Sequence, residues 1–152
     1  MKIYLVRHGE AVSSDIDPEN PLSPQGAENV EKIARHLGER SFPIERILHS
    51  QKLRAKQTAQ IMLKYIAPEA LLVEHPQMAP NDPIESAFVQ AAAGDGDSMM
   101  VGHLPYLQSL LGHMVAGNDH MDLVQFNVGT TVCVSSVNGS WIIDWVLGLD
   151  QI

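Results

Sequence analysis

Cysteine and positive charge are both scarce in this sequence of 152 residues. The single cysteine, Cys133, excludes an internal disulfide and a cysteine-rich zinc site, and its β-branched surroundings indicate a small core residue. Lys and Arg total 10 against 18 Asp and Glu, which gives a formal net charge of -8. This balance argues against a nucleic-acid-binding protein, because such proteins need a positive field. An anionic ligand would need local positive charge, so the few arginines become informative.

Long apolar runs are also missing. No stretch approaches the roughly 20 residues that are needed to cross a bilayer. The N-terminal apolar run covers only residues 3–6 and no small-residue cleavage site follows it, so we expect no secretion signal. These features predict a cytoplasmic protein with no membrane contact, built as one domain over residues 1–152.

Short strands and helices alternate along most of the chain. The predicted strands are residues 3–6, 46–49, 71–74 and 98–101. The predicted helices begin at Ser23-Pro24, Leu53, Pro83 and Tyr106, and the first of them ends at Gly38. Strand–helix alternation predicts an α/β fold with three α/β/α layers and a mainly parallel central sheet.

The C-terminal part has a different pattern. Residues 124–128, 131–137 and 141–147 are strand-like, and Asn138-Gly139 is a strong hairpin signal. Trp141 and Trp145 are four residues apart and would share one face of either a strand or a helix, so their spacing alone does not distinguish the two. We therefore expect an antiparallel addition to the sheet at the C-terminal end.

Charged and small residues follow three of the predicted strands. In α/β sheets, ligands bind beyond the carboxyl ends of the strands, where these residues would converge. Two guanidinium groups and two imidazoles suit a small, doubly charged tetrahedral anion of the phosphate or sulfate type. The converging residues are Arg7, His8 and Gly9, then Ser50 and Arg54, and finally Gly102 and His103.

These residue types favour phosphoryl transfer. An unprotonated imidazole is a competent nucleophile at neutral pH and would form a phosphohistidine that water hydrolyses. The arginines and the second histidine would stabilise charge on the equatorial oxygens. Gly9, which lacks a Cβ, would let backbone approach the anion. We expect neither a metal nor another cofactor, because the acidic clusters of two-metal phosphatases are missing.

Three motifs resemble, in order and context, the hallmarks of the histidine phosphatase superfamily, also called the phosphoglycerate mutase-like family. The first is "RHG" after an N-terminal strand, Arg7-His8-Gly9. The second is a serine followed by "RAxQT", Ser50 and residues 54–58, and the third is "GH", Gly102-His103. Each motif alone is weak, but the ordered set is specific and covers nearly the whole chain.

Within the superfamily the chain resembles the small protein phosphohistidine phosphatases of the SixA type, which have no cap domain. Only 48 residues separate Arg54 from His103, where larger members insert helical material. The resemblance implies that His8 is the nucleophile and that Arg7, Arg54 and His103 bind the phosphoryl group. It also implies an open site for a partner protein carrying phosphohistidine, such as a histidine-containing phosphotransfer domain or a phosphocarrier.

One position departs from the family pattern. Members commonly place a proton-donating glutamate after the third strand, where this sequence has Gln77. Asp82 and Glu74 are candidate substitutes; alternatively no strong acid is needed, because imidazole leaves phosphohistidine more readily than an alkoxide leaves an ester. Ser14 is a candidate residue for the rim of the pocket. Other histidines, among them His75, are predicted to be surface or packing residues.

Two other functions stay open at this stage. The chain could be a general small-molecule phosphomonoesterase, although a shallow site without a cap should bind small esters weakly. It could also be a catalytically silent phosphate-binding module, an alternative disfavoured by the presence of all four core residues.

Overall fold

The computed structural model describes residues 1–152 and contains six strands and four α-helices. The four strands and three helices of the first part are β1 (Lys2–Arg7), α1 (Pro24–Gly38), β2 (Ile44–Ser50), α2 (Leu53–Ile66), β3 (Leu71–His75), α3 (Glu85–Ala92) and β4 (Asp97–Gly102). The remaining elements are α4 (Tyr106–Ala116), β5 (Thr131–Val137), β6 (Ser140–Leu147) and a final 3-10 turn, Leu149–Gln151. No helix combines the length and the apolar character that a membrane span requires.

All six strands form one sheet in the order β3-β2-β4-β1-β5-β6. The pairs β3–β2, β2–β4 and β4–β1 are parallel, whereas β5 and β6 are added antiparallel to β1. The predicted α/β fold with an antiparallel C-terminal addition is confirmed, and no separate cap domain interrupts it. Asn138 and Gly139 join β5 to β6 with φ values of 51° and 80°, as a tight hairpin requires.

Helices cover both faces of the sheet. Along β1, Ile3 and Leu5 pack with α3 and α4, while Tyr4 and Val6 pack with α1 and α2. Side chains alternate between faces along a strand, so a strand covered on both sides is apolar throughout. The short run at the start of the sequence is therefore the centre of both cores, and its end lies at the middle of the sheet edge.

The N-terminus of α1 forms as its sequence predicts. The hydroxyl of Ser23 accepts a hydrogen bond from the amide of Gly26 at 2.9 Å, and Pro24 occupies the first helical position. The third predicted helix, in contrast, begins at Glu85 rather than Pro83. Such a difference of two residues is usual at helix ends.

The prediction of a strand at residues 124–128 was wrong. This segment is an irregular loop, and Phe126 is nevertheless buried against the cluster formed with α3 and α4. The reason lies in the sheet: the edge of β1 that a further strand would use is already paired with β5, from Thr131 onward. Val124 packs against the same cluster, whereas Val128 is exposed.

The two tryptophans lie on opposite faces of the sheet, so the prediction of a shared face was also wrong. Val134 pairs with Ile143 and Cys133 pairs with Trp145, which leaves Asp144 as an extra residue in β6. Such a bulge moves the side chain of every later residue in the strand to the opposite face of the sheet from the one that simple alternation predicts. Trp141 therefore packs against Phe88, at 6.0 Å between ring centroids, and Trp145 packs with the α1–α2 core.

Candidate active site

The carboxyl ends of β1, β2 and β4 meet at one edge of the sheet. Arg7 pairs with Gly102 in the β1–β4 register, and the amide of His8 donates to the carbonyl oxygen of Gly102 at 3.0 Å. β2 borders β4 on the other side, so the residues after it join the same edge. The rings of His8 and His103 are thereby brought to 5.0 Å between centroids.

One nitrogen of His8 is free of protein partners. Its Nδ1 lies 2.7 Å from the carbonyl oxygen of Gly9, which can only accept, so Nδ1 carries the hydrogen. The lone pair is then on Nε2. Burial lowers the pKa of His8 to about 4, and the positive charges of Arg54 and Arg7 contribute to the same shift. The ring is therefore neutral at pH 7.

His103 is oriented by a serine hydroxyl. Its Nε2 lies 2.7 Å from Oγ of Ser50, and the same oxygen accepts the amide of Lys52 at 3.2 Å. The buried hydroxyl of Ser50 has no acceptor other than Nε2, so it donates there and the hydrogen of His103 is on Nδ1. Nδ1 is buried and has no protein partner. Burial, followed by the nearby His8 and Arg54, lowers the pKa of His103 to about 3.

The two arginines leave donors available at the same place. Nη1 of Arg7 donates to the carbonyl oxygen of Phe126 at 2.7 Å, while its buried Nε has no partner. Arg54 lies in the first turn of α2, directly after the end of β2, and its charge contributes to the lowered pKa of both His8 and His103. Unpaired buried donors are costly unless a ligand satisfies them. The oxygens of a tetrahedral oxyanion are acceptors of the kind that these donors lack.

Gln57 and Thr58, at the end of the second motif, tie the chain after β1 to α2. Oγ1 of Thr58 accepts the amide of Gly9 at 3.1 Å and donates to the carbonyl oxygen of Arg54 at 2.8 Å. The side-chain oxygen of Gln57 accepts the amide of Leu22 at 2.7 Å. The motif therefore contributes two anchors in addition to Arg54. Sequence reasoning identified the motif but assigned no role to these anchors.

Gly9 has a packing role in this structure that sequence reasoning did not predict. Its amide is used by Thr58, and a Cβ at this position would lie 2.6 Å from a methyl group of Val30 in α1. Gly26 on the facing helix is equally constrained, because a Cβ there would lie 2.1 Å from the carbonyl oxygen of Glu10. The two glycines allow α1 to pack closely behind His8. Gly102 is different, since a Cβ would have no neighbour closer than 3.7 Å.

Three other predicted site residues lie outside the group formed by Arg7, His8, Arg54 and His103. Ser14 is exposed in a turn after β1 and makes no side-chain hydrogen bond. Asp82 accepts the amide of Ala79 through Oδ2 at 2.8 Å and so stabilises a turn after β3. Glu74 is exposed on the wall of a cleft of about 450 Å³ that Arg54, Lys52 and Lys56 also line.

His75 is a residue whose position sequence reasoning did not recognise. It is buried at the end of β3, in register with Ser50, and both residues line a cleft of about 220 Å³. The signal was its place directly after the third strand, the same kind of position that identified the other residues. No three His, Cys, Asp or Glu side chains are grouped so that they could share a metal ion.

Known proteins share this sequence pattern and this fold. The sequence model of the histidine phosphatase superfamily (branch 1) matches residues 3–76. Phosphohistidine phosphatase SixA of Escherichia coli (strain K12) is 25% identical over 146 residues, which are 93% of this chain and 91% of that protein. An uncharacterized protein of Picosynechococcus sp. is 34% identical over 119 residues, 70% of this chain and 68% of that protein. The structure of the protein histidine phosphatase SixA complexed with tungstate covers 99% of both chains with a TM-score of 0.85 and 23% identity.

These similarities agree with the order of the motifs. The segment that the superfamily model matches contains Arg7, His8 and Arg54, and the similarity to the Escherichia coli protein extends over 93% of the chain. The structural likeness, at 23% identity, establishes the fold. The chain belongs to the histidine phosphatase superfamily.

Proposed function

We propose that the protein is a phosphohistidine phosphatase that removes the phosphoryl group from a phosphohistidine on another protein. His8 acts as the nucleophile and is transiently phosphorylated. Arg7, Arg54 and His103 hold the phosphoryl oxygens, and no metal takes part. The substrate is a phosphorylated protein such as a histidine-containing phosphotransfer domain or a phosphocarrier.

The observation that carries this proposal is the free Nε2 of His8. The bond from Nδ1 to Gly9 fixes the tautomer, and the lowered pKa keeps the ring unprotonated at neutral pH. A neutral imidazole with a lone pair facing an anion site is ready to attack phosphorus without a separate base. The unpartnered Nε of Arg7 and Nδ1 of His103 are donors suited to the oxygens that gain charge during transfer.

The reaction takes two steps. Nε2 of His8 forms a bond to phosphorus while the bond from phosphorus to the substrate nitrogen breaks, and its electron pair stays with the substrate imidazole. Water then attacks the phosphorylated His8, its oxygen bonds to phosphorus, and the electron pair of the P–N bond returns to Nε2. The products are unmodified substrate histidine and inorganic phosphate. The arginines and His103 stay in place through both steps and bind the same three oxygens.

Three further observations support the proposed reaction. A relative with 25% identity is named a phosphohistidine phosphatase, and a structure with the same fold is a complex with tungstate, a tetrahedral oxyanion like phosphate. Gln77, which cannot donate a proton, occupies the position of the usual glutamate and is exposed. A P–N bond needs less help from an acid than an ester bond, because imidazole is the better leaving group.

The decisive experiment compares wild type with His8→Ala on a synthetic peptide that carries N-phosphorylated histidine. Wild type should release phosphate and form an acid-labile, base-stable phosphoenzyme, and His8→Ala should do neither. Release of phosphate by His8→Ala at the wild-type rate would refute the assignment of the nucleophile. If wild type releases no phosphate from any substrate but binds phosphopeptide, the protein is a silent phosphate-binding module.

The same experiment decides the main alternative, a small-molecule phosphomonoesterase. Sugar phosphates are assayed beside the phosphohistidine peptide at equal concentrations. Faster turnover of the sugar phosphates would favour the esterase and contradict the proposed substrate class. We expect the peptide to be preferred, since no cap encloses a small ester in this fold.

A further inference from the structure

Three of the ten basic residues of the chain lie close together at the start of α2. Both lysines of this group are exposed, and its arginine is half-buried. The group lines a cleft of about 450 Å³ together with residues 18–20, in the loop after β1, and Glu74 in β3. Its members are Lys52, Arg54 and Lys56. The cleft therefore gathers cations in a protein whose formal net charge is -8.

These three cations have no carboxylate partner within the protein. The lysine and arginine side chains that do form ion pairs are Lys2, Lys32 and Arg35, all of them outside the cleft. Glu19 and Glu74 line the cleft as well, but neither forms an ion pair. The cations outnumber these acids, so the cleft has a local positive balance that is available to an anionic partner.

The sequence at the start of α2 works against the stability of the helix. Lys52 is the N-cap residue, its side chain makes no capping hydrogen bond, and the first turn contains no acidic residue. A helix N-terminus carries partial positive charge, which favours acidic side chains there and disfavours cations. Lys56 lies one turn further on, its amide bonded to the carbonyl oxygen of Lys52 at 3.1 Å, and like charges at this spacing repel. Local sequence that costs stability is typical of a functional site.

The cleft borders the candidate active site. Arg54 lines the cleft and is also one of the residues assigned to the phosphoryl oxygens. Lys52 lines both this cleft and the smaller one that contains Ser50, whose hydroxyl holds His103. The positive charge of Lys52 contributes to the lowered pKa of His103. A protein segment that brings a phosphohistidine to the site would therefore place its neighbouring residues beside the two lysines.

We propose that Lys52 and Lys56 form a docking site for acidic side chains next to the phosphohistidine of the substrate protein. The inference rests on the proposed function and adds the charge of the partner segment that the site selects. A lysine head is a flexible point charge, so it attracts carboxylates without requiring one fixed geometry. The excess of acidic residues in the chain as a whole would repel the same partner in other orientations. Charge thereby selects both the partner and the side from which it approaches.

A second phosphate group on a small molecule is the other anion that such a cleft could bind. Two features favour an acidic protein segment. No cap domain covers this edge of the sheet, so a polypeptide can lie across it. Both lysines are exposed, and a single ion pair between exposed groups stabilises a complex only weakly. Several carboxylates on one segment, held by the phosphohistidine at the active site, would add their small contributions.

The test compares three peptides that carry the same phosphohistidine and differ only in the residues on either side of it, which are Glu, Gln or Lys. We expect wild type to prefer the Glu peptide over the Gln peptide in kcat/KM by about tenfold at low salt, the combined effect of a few exposed ion pairs. The difference should lie in KM, since docking does not change the reacting groups. Most of the preference should disappear at about 1 M salt, where the screening length is about 3 Å. This salt dependence needs no variant.

Substitutions then locate the preference on the chain. Lys52→Gln and Lys56→Gln should each lower the ratio of kcat/KM for the Glu and Gln peptides by about two- to fivefold, the range for one exposed ion pair. Because the readout is a ratio, a change in the chemical step cancels. The double variant Lys52→Glu with Lys56→Glu should prefer the Lys peptide. Lys64→Gln is the matched control, because it removes the same charge from the last turn of the same helix, and it should keep the wild-type ratio.

Each outcome separates the docking site from the proposed function. If wild type cleaves none of the peptides, the proposed function fails and the docking site fails with it. If wild type cleaves all three equally, or Lys64→Gln lowers the ratio as much as Lys56→Gln does, the docking site is refuted and the proposed function stands. If the Glu peptide is not preferred but glucose 1,6-bisphosphate is cleaved faster than glucose 6-phosphate, and Lys56→Gln removes that difference, the cleft binds a second phosphate and the docking site is refuted.

Discussion

Oγ of Ser50 lies 2.7 Å from Nε2 of His103 and is itself held by the amide of Lys52. The pair joins the end of β2 to the loop after β4, and it fixes which nitrogen of His103 carries the hydrogen. From the sequence, Ser50 was predicted only as one of the residues that converge on the anion site. In the structure it orients the imidazole that we propose binds the phosphoryl oxygens.

Replacing Ser50 with alanine should reduce kcat for the phosphohistidine peptide by about tenfold or more. This loss is smaller than the loss of kcat on removing a donor that binds the oxyanion directly. Without the hydroxyl, His103 can hold its hydrogen on either nitrogen and can rotate. KM should change little if the contact matters mainly in the transition state. Ser50→Thr, which keeps a hydroxyl, should recover most of the activity. Equal activity of the alanine variant and wild type would contradict the positioning role.

Thr58→Val should lower both stability and activity. The substitution leaves the amide of Gly9 without its acceptor, and an unsatisfied buried donor costs about 1–3 kcal/mol of the free energy of unfolding. Urea unfolding measures that loss, and phosphoenzyme formation measures the displacement of His8. Thr58→Ser, which keeps Oγ1, is the matched control and should lie near wild type. A valine variant as stable as wild type would exclude Thr58 as an anchor of Gly9.

Gly26→Ala should destabilise the fold by about 1–3 kcal/mol, the usual cost of overpacking. The added Cβ would lie 2.1 Å from the backbone oxygen of Glu10, so α1 must move away from the end of β1. Gly102→Ala adds the same methyl group where the nearest atom is 3.7 Å away, and we expect little change in unfolding there. Chemical denaturation of the two variants tests the contrast; similar midpoints would show that α1 adjusts freely.

The free energy of unfolding should decrease as pH falls from neutral toward about pH 4, in the absence of a bound anion. The unfolded histidines take up protons near their ordinary pKa of 6.5, whereas in the folded protein the pKa of His8 is about 4 and that of His103 about 3. The unfolded state therefore binds more protons in this range, and stability rises with pH. Thermal unfolding at several pH values measures the slope.

His8→Asn should make that slope shallower, because one group with a lowered pKa is removed. His120→Asn is the control, since His120 is exposed and lies away from the site. A pH dependence that is the same in wild type and His8→Asn would contradict the lowered pKa of His8.

Much of the fold was predictable because most strands and helices carry one clear signal in the sequence. The first strand is apolar throughout because it lies between two cores, and α1 begins at a serine that caps it. The predictions failed where contacts with other parts of the chain determine the structure. Residues 124–128 look like a strand, but the neighbouring edge of β1 is already paired with β5. The facing of Trp141 and Trp145 depends on an extra residue in β6 that spacing cannot reveal.

The candidate site was likewise predictable only in part. Arg7, His8 and His103 were predicted from the strands that they follow, because parallel strands bring their ends to one edge. The partners of these residues were not predictable: Thr58 reaches Gly9 across 49 residues, and Ser50 reaches His103 across 53. The packing constraint on Gly9, which comes from the helix behind it, was not predicted either. Local pattern identifies the groups that carry charge, and packing determines which groups hold them.

The extra residue at Asp144 has a consequence for association between copies of the protein. β6 and β3 are the outermost strands of the sheet, where unpaired backbone groups could recruit a strand from another chain. β3 spans only five residues, and the kink in β6 breaks the regular spacing of donors and acceptors that a docking strand must match. Both edges of the sheet are thus poor templates for the addition of a strand from another copy.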